Sequence, residues 1–220
     1  MTTPGPSGGA VADLAARLAA AAVVPVIRAS SAESAVGIVG RCVAAGLDLV
    51  ELTTTTPGWS EALEAARQAH PDLLVGVGTV LSGGDARRAL DGGAGFLVSP
   101  CPAPEVRAVA SEVPFVEGGM TVAEVLAAAG RGIAKLFPAH VGGPAFLRSL
   151  RTVAPQAQVV PTGGISLDEV PAWLEAGALA VGVGRNLLEQ DDLVERLRAV
   201  RATVRPPSGP RGAQAAPHPP

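Results

Sequence analysis

Along residues 11 to about 204, short apolar, β-branched runs alternate with stretches in which Ala and Leu recur at helical spacing. Eight runs read as strands: "VVPVIRA" (23–29), "LDLVELT" (47–53), "LLVGVGT" (73–79), "FLVSP" (96–100), "PFVEG" (114–118), "IAKLFPA" (133–139), "QVVPTGG" (158–164) and "ALAVGVG" (178–184). Successive runs begin roughly 18 to 27 residues apart, the length that a strand, a helix of about three turns and two short loops require. The segments between them read as helices: "ESAVGIVGRCVAAG", "WSEALEAARQAH", "GDARRALDGG", "APEVRAVASE", "TVAEVLAAAG", "PAFLRSLRTV", "LDEVPAWLEAG" and, after the last strand, "DDLVERLRAV".

Local chemistry supports these helices. Thr121 and Glu124 have capping-box spacing, and Ser166 followed by Asp168 and Glu169 reads as an N-cap with acids in the first turn. Gly46, Gly130 and Gly177 stand where C′ glycines end helices. The strands are near-continuous apolar runs, as in a parallel sheet covered by helices. Eight consecutive βα units close most economically into an α/β (β/α)8 TIM barrel; a doubly wound open sheet is the competing arrangement. A helix over 11–21 precedes the first strand and is expected to plug the barrel floor. Residues 1–10 read as a flexible N-terminus, 11–204 as one barrel domain, and 205–220, "RPPSGPRGAQAAPHPP", as a disordered tail too rich in Pro, Gly and Ala to pack.

Composition narrows the classes of function. A chain of 220 residues with 48% hydrophobic content can fill one core. A net charge of −3 and 3% aromatics, with no basic stripe, argue against a nucleic-acid partner. The absence of a long uncharged apolar run argues against a membrane span. Two cysteines, Cys42 and Cys101, make no disulfide framework, so a reduced cytoplasmic location is expected. His70, His140 and His218 are far apart and lack metal-ligand spacing, so neither a metal nor a cofactor is expected.

One composition detail points to chemistry. Lys135 is the chain's single lysine, beside sixteen arginines. Where arginine writes nearly every cation, a lone lysine suggests a need for an amine that can lose its proton and attack a carbonyl, which guanidinium cannot do. An ion pair or a snorkelling strand-end cation is the plainer alternative. In a barrel of this class the active site lies at the C-terminal strand ends. Those ends carry Arg28, Glu51 with Thr53 and Thr55, Thr79, Ser99 and Pro100, Glu117, Lys135 with Phe137, Thr162 with Gly163 and Gly164, and Gly182 with Gly184. Strand alternation puts Lys135 and Phe137 on one face, and Glu51, Thr53 and Thr55 on another. If both faces point inward, the amine meets a carboxylate at the barrel mouth, with Arg28 expected nearby. Burial there disfavours the charged amine; the neutral form could make an imine with a 2-oxo acid, leaving Glu51 to move protons, or Glu51 could simply pair with Arg28 or Lys135. The glycine turns "PTGGI" and "VGVGRN" after strands seven and eight suit a phosphate held on backbone N–H groups. Arg185 there is either a direct anion contact or a solvated loop residue.

Taken together, "VVPVIRA", "VELTTTTP", "VGVGTVL", "FLVSP", "AKLFPAHVGG", "VVPTGGISLDEV" and "AVGVGRNLL" resemble, in order over about residues 14 to 200, the 2-keto-3-deoxy-6-phosphogluconate/4-hydroxy-2-oxoglutarate aldolases, Schiff-base enzymes on a (β/α)8 barrel. The resemblance implies Lys135 as the imine-forming residue and Glu51 as general acid/base. It implies Thr79, Pro100, Phe137 and Thr162 as lining of the pyruvate and substrate pocket. Gly163 and Gly164, with Gly184 and Arg185 of the strand-eight loop, would hold a phosphate. It further implies a small 2-oxo acid substrate, phosphorylated, cleaved to pyruvate and an aldehyde, and a homotrimer. Decarboxylation of a β-keto acid through the same imine, or a barrel that only binds a phosphosugar, are the other functions these residues allow. The chain departs from the family pattern at Thr55, where many members carry an arginine that Arg28 would replace, at Glu117, at His140 and at Arg185.

Overall fold

The computed structural model describes residues 8–184 and 192–203. Eight parallel strands run in chain order: β1 (Val23–Ile27), β2 (Leu49–Thr53), β3 (Leu74–Gly78), β4 (Phe96–Val98), β5 (Phe115–Gly119), β6 (Ile133–Leu136), β7 (Gln158–Pro161) and β8 (Val181–Val183). Each pairs with the next up to β7, and β1 pairs with β8. The ring closes between β7 and β8 through the Thr162–Gly182 bridge and the bond from the Leu179 N–H to the Val159 carbonyl, 2.9 Å. The closed (β/α)8 ring is the expected TIM barrel, and the open-sheet alternative falls away.

The helices between strands are α2 (Ala32–Ala44), α3 (Trp59–Ala69), α4 (Gly83–Asp91), α5 (Pro104–Val109), α6 (Val122–Ala129), α7 (Gly143–Val153) and α8 (Val170–Glu175), followed by α9 (Leu193–Thr203). An additional helix, α1, spans Gly8–Ala21 and buries Leu14, Ala15, Leu18 and Ala21. It starts three residues inside the segment expected to be flexible, since the apolar stripe it buries is preceded by residues that continue the same turn. The remainder of that segment, 1–7, and the tail, 205–220, lie outside the described residues.

Strand residues are buried almost without exception, because the inner faces meet in the barrel and the outer faces meet the helices. Leu52, Leu97, Ala134 and Val159 are among those fully covered. The expected capping box forms on α6: the Thr121 hydroxyl accepts from the Glu124 N–H, and the Glu124 carboxylate accepts from the Thr121 and Met120 N–H groups and the Thr121 hydroxyl. Gly46 and Gly177 take the left-handed backbone of a helix stop, at φ 82° and 95°. Gly130 does not. Its φ is −64°, and the reversal falls instead at Gly132, φ 143°. The segment expected as one helix after β7 is split. Leu167–Glu169 forms a single 3-10 turn, and α8 begins at Val170 with Pro171 in its first turn, where a missing N–H costs no helical bond.

Candidate active site

Register decides which side chains enter the barrel. Lys135 on β6 is level with Gly118 on β5 and Val160 on β7, while Glu51 on β2 is level with Val26 on β1 and Gly76 on β3. Both ionic residues point inward, and across the ring the Lys135 Nζ lies 3.3 Å from Glu51 Oε1. Their relative exposures are 4% and 3%, so this pair is sealed from bulk water. Leu18, Val24, Phe96, Val98, Val116, Val160 and Thr162 complete a small cavity around it. Leu18 comes from α1, which therefore does form the floor.

The neighbouring strands make room for this pair. A Cβ on Gly78 would stand 1.8 Å from Glu51 Oε1, so the carboxylate lies in space that only glycine leaves open. Gly76 similarly admits the Phe96 ring, and Gly182 admits the Thr162 side chain. Phe137 lies on the same side as Lys135, with Nζ 5.7 Å from its ring centroid, as strand alternation requires.

The loops beyond the strands carry the remaining expected residues. Gly163 and Gly164 adopt left-handed φ values of 99° and 71°. Side chains at these positions would meet the Phe137 ring and the His140 imidazole, so the turn is packed directly against the residue that follows Lys135 by two. His140 is exposed, and its Nδ1 is 3.2 Å from the Gly163 carbonyl. Because that oxygen only accepts, Nδ1 carries the proton. Gly184 is half-buried at the end of β8, and Arg185 lies outside the described residues. Pro100 and Thr79 are half-buried at the ends of β4 and β3.

Three expectations change. Thr55 is exposed, and its hydroxyl pairs with that of Thr53, 3.0 Å away, which in turn donates to the Ile27 carbonyl; Thr55 lies in the turn beyond β2 instead of continuing its inward face. Arg28 is exposed past the end of β1, and among the described residues it pairs with neither Lys135 nor Glu51. Glu117, one residue out of phase with the inward Gly118, faces the helices. It is buried in an ionic cluster with Arg107 and Arg131 and also accepts from the Ala103 N–H, 2.9 Å. Burial, then the proximity of Arg131, lowers the Arg107 guanidinium from its ordinary range. Sequence reasoning passed over Gly78 and the valines at 98, 116 and 160; counting strand parity outward from Lys135 and Glu51 would have found them.

Among the described residues no group of three or more His, Cys, Asp and Glu side chains is placed to hold a metal ion. No helix of these residues is long and apolar enough to cross a membrane. A buried amine–carboxylate pair at the centre of a TIM barrel is an arrangement suited to carbonyl chemistry through an imine. The family model "KDPG and KHG aldolase" matches residues 14–200, and the chain belongs to that family. It is a class I aldolase, a lyase. It is 30% identical over 180 residues, 79% of this chain and 88% of the relative, to the 2-dehydro-3-deoxy-6-phosphogalactonate aldolase of Escherichia coli. With the 2-dehydro-3-deoxy-phosphogluconate aldolase of Treponema pallidum it shares 35% identity over 157 residues, 69% of this chain and 75% of the relative. The KDPG aldolase of Legionella pneumophila, solved with pyruvate captured at low pH as a covalent carbinolamine intermediate, superposes with a TM-score of 0.77 at 31% identity, covering 84% of this chain and 97% of that one.

Proposed function

We propose that Lys135 forms the imine and Glu51 moves the protons in cleavage of a phosphorylated 2-oxo-4-hydroxy acid, 2-keto-3-deoxy-6-phosphogluconate or a close relative, to pyruvate and an aldehyde. The observation that carries this is the sealed 3.3 Å contact between the only lysine and a carboxylate. Lys135 passes a proton to Glu51, and the neutral amine adds to the C2 carbonyl of the substrate to give a carbinolamine. Loss of water, with Glu51 returning a proton to the departing oxygen, leaves an iminium ion. The Glu51 carboxylate then takes the proton of the C4 hydroxyl, directly or through a water. The C3–C4 bond breaks, its electron pair passes into the iminium to give an enamine, and the aldehyde leaves. Protonation at C3 and hydrolysis release pyruvate and restore the amine.

Thr79, Pro100, Phe137 and Thr162 surround the carboxylate end of the substrate in this reading. Gly163, Gly164 and Gly184, with Arg185, take the phosphate, and Arg28 and Thr55 stand at the rim where the distal part of the substrate passes. The names of the relatives from Escherichia coli and Treponema pallidum support a phosphorylated substrate. A homotrimer in the cytoplasm completes the proposal. Exposed Leu81, Met120, Val122 and Val141, all just beyond strand ends, support self-association, and two unpaired cysteines suit a reducing compartment.

Incubation with pyruvate and borohydride tests the assignment. One reduced adduct is expected, on Lys135, and Lys135→Arg should remain folded, form no adduct and lose turnover by at least about 10³-fold. An adduct elsewhere, or a Lys135→Arg variant that still turns over, would refute it.

A further inference from the structure

The run Thr53–Thr56 begins at the last residue of the strand that carries Glu51, and each of its four hydroxyls has a defined partner. Thr54 is the one that reaches β3. Its backbone N–H donates to the Gly78 carbonyl, 2.9 Å, and its hydroxyl donates to the Thr79 carbonyl, 2.7 Å. These two carbonyls belong to the peptide planes on either side of the Thr79 Cα, so Thr54 fixes both planes at once. Thr79 between them has a φ of 59°, and Ala22 is the only other non-glycine with positive φ among the described residues. A β-branched residue is poorly suited to that region, because its Cβ crowds its own backbone. Strain of this kind persists only where the surroundings impose it, and it gathers at working sites.

What the imposed conformation controls is also in view. The residue immediately before Thr79 is Gly78, against whose Cα the Glu51 carboxylate rests. If Thr79 relaxes, the 78–79 peptide rotates and the surface behind Glu51 moves with it. We infer that Thr54 is a positioning residue for the reaction: its hydroxyl and N–H hold Thr79 in the left-handed conformation and thereby hold Glu51 at its working distance from Lys135. The inference rests on the assignment of Glu51 and Lys135 made above.

The test compares Thr54→Val, which keeps the shape and loses the hydroxyl, with Thr54→Ser, which keeps the hydroxyl. The full chain is assayed for kcat and KM on 2-keto-3-deoxy-6-phosphogluconate, for the rate of pyruvate-dependent borohydride inactivation, and for Tm. Thr54→Val is expected to lower kcat and the inactivation rate about tenfold with KM within about twofold, and Thr54→Ser to restore both rates to within about twofold of the original, as one lost or kept hydrogen bond predicts. Wild-type rates in Thr54→Val, whatever its Tm, would overturn the inference. Should Thr54→Val fold poorly, Thr79→Gly supplies the second comparison, since glycine needs no support at this φ. Thr54→Val is then expected to lower Tm less in the Thr79→Gly background than alone, and an equal loss in both would overturn it. Failure here with an intact Lys135 adduct leaves the aldolase assignment standing; absence of the adduct from the unmodified enzyme removes both.

Discussion

At Gly78 the missing side chain matters more than most side chains nearby. A methyl group there would overlap the terminal oxygen, Cδ and Cγ of Glu51, at 1.8, 2.4 and 2.7 Å. The backbone at this position is not left-handed, so alanine is compatible with the strand and the conflict falls wholly on the carboxylate. Gly78→Ala should therefore displace Glu51 and leave the barrel closed. If Glu51 moves the protons as proposed, activity is expected to fall by up to about 10²-fold, as a displacement of about 1 Å in such a group can cause. Stability should fall by about 1–3 kcal/mol from overpacking. Parallel kcat/KM and chemical-denaturation measurements check this, and a fully active Gly78→Ala enzyme would count against the proposed role of Glu51. Cys42 shows the opposite case of a reactive group put out of use. Burial, which outweighs the opposing charge of Arg41, raises its thiol to about 12, whereas Cys101 is exposed after β4. A thiol reagent at neutral pH is expected to modify Cys101 in the native protein and Cys42 only after unfolding, in a two-stage titration readable by mass.

Among the elements, α6 shows how a charge at a helix start becomes pH-dependent stability. The Thr121 N–H, the Met120 N–H and the Thr121 hydroxyl hold the Glu124 carboxyl below its ordinary value of 4.5. A group depressed on folding contributes above its unfolded value, and the contribution disappears as pH falls through the lower, folded value. Glu124→Gln is thus expected to lower Tm by a few degrees at pH 7, with the gap closing as the medium is acidified below pH 4.5; melting curves across that range decide it. Helix starts such as this one were readable from side-chain spacing alone, because a capping box is a local device. Gly130 departs from its expected conformation for the complementary reason: a glycine after a helix signals a stop, and only the three-dimensional path shows that the positive-φ residue comes two residues later. Glu117 could not be placed from the sequence either. It sits among strand-end polar residues and one position from a level with Lys135, so a single step of register separates a mouth residue from one bound under α5.

For the molecule as a whole, the ring of eight strands was legible because each βα unit repeats the same apolar rhythm. Lys135 and Glu51 were legible because their chemical types are scarce inside such a rhythm. The threonine clamp on Thr79 was not, since it depends on a backbone angle that no residue name announces. The ring also determines how its single lysine meets other macromolecules. An endoproteinase that cuts only after lysine has one site in all 220 residues, and that site is in β6, paired on both sides and 4% exposed. Local fraying cannot present it, because a protease needs an extended segment free of its sheet partners. Such digestion is therefore expected to yield two fragments, 1–135 and 136–220, at a rate that follows the population of opened barrel, so that added denaturant accelerates it in step with global unfolding. The residue proposed to form the imine doubles as a built-in gauge of how often the barrel comes apart.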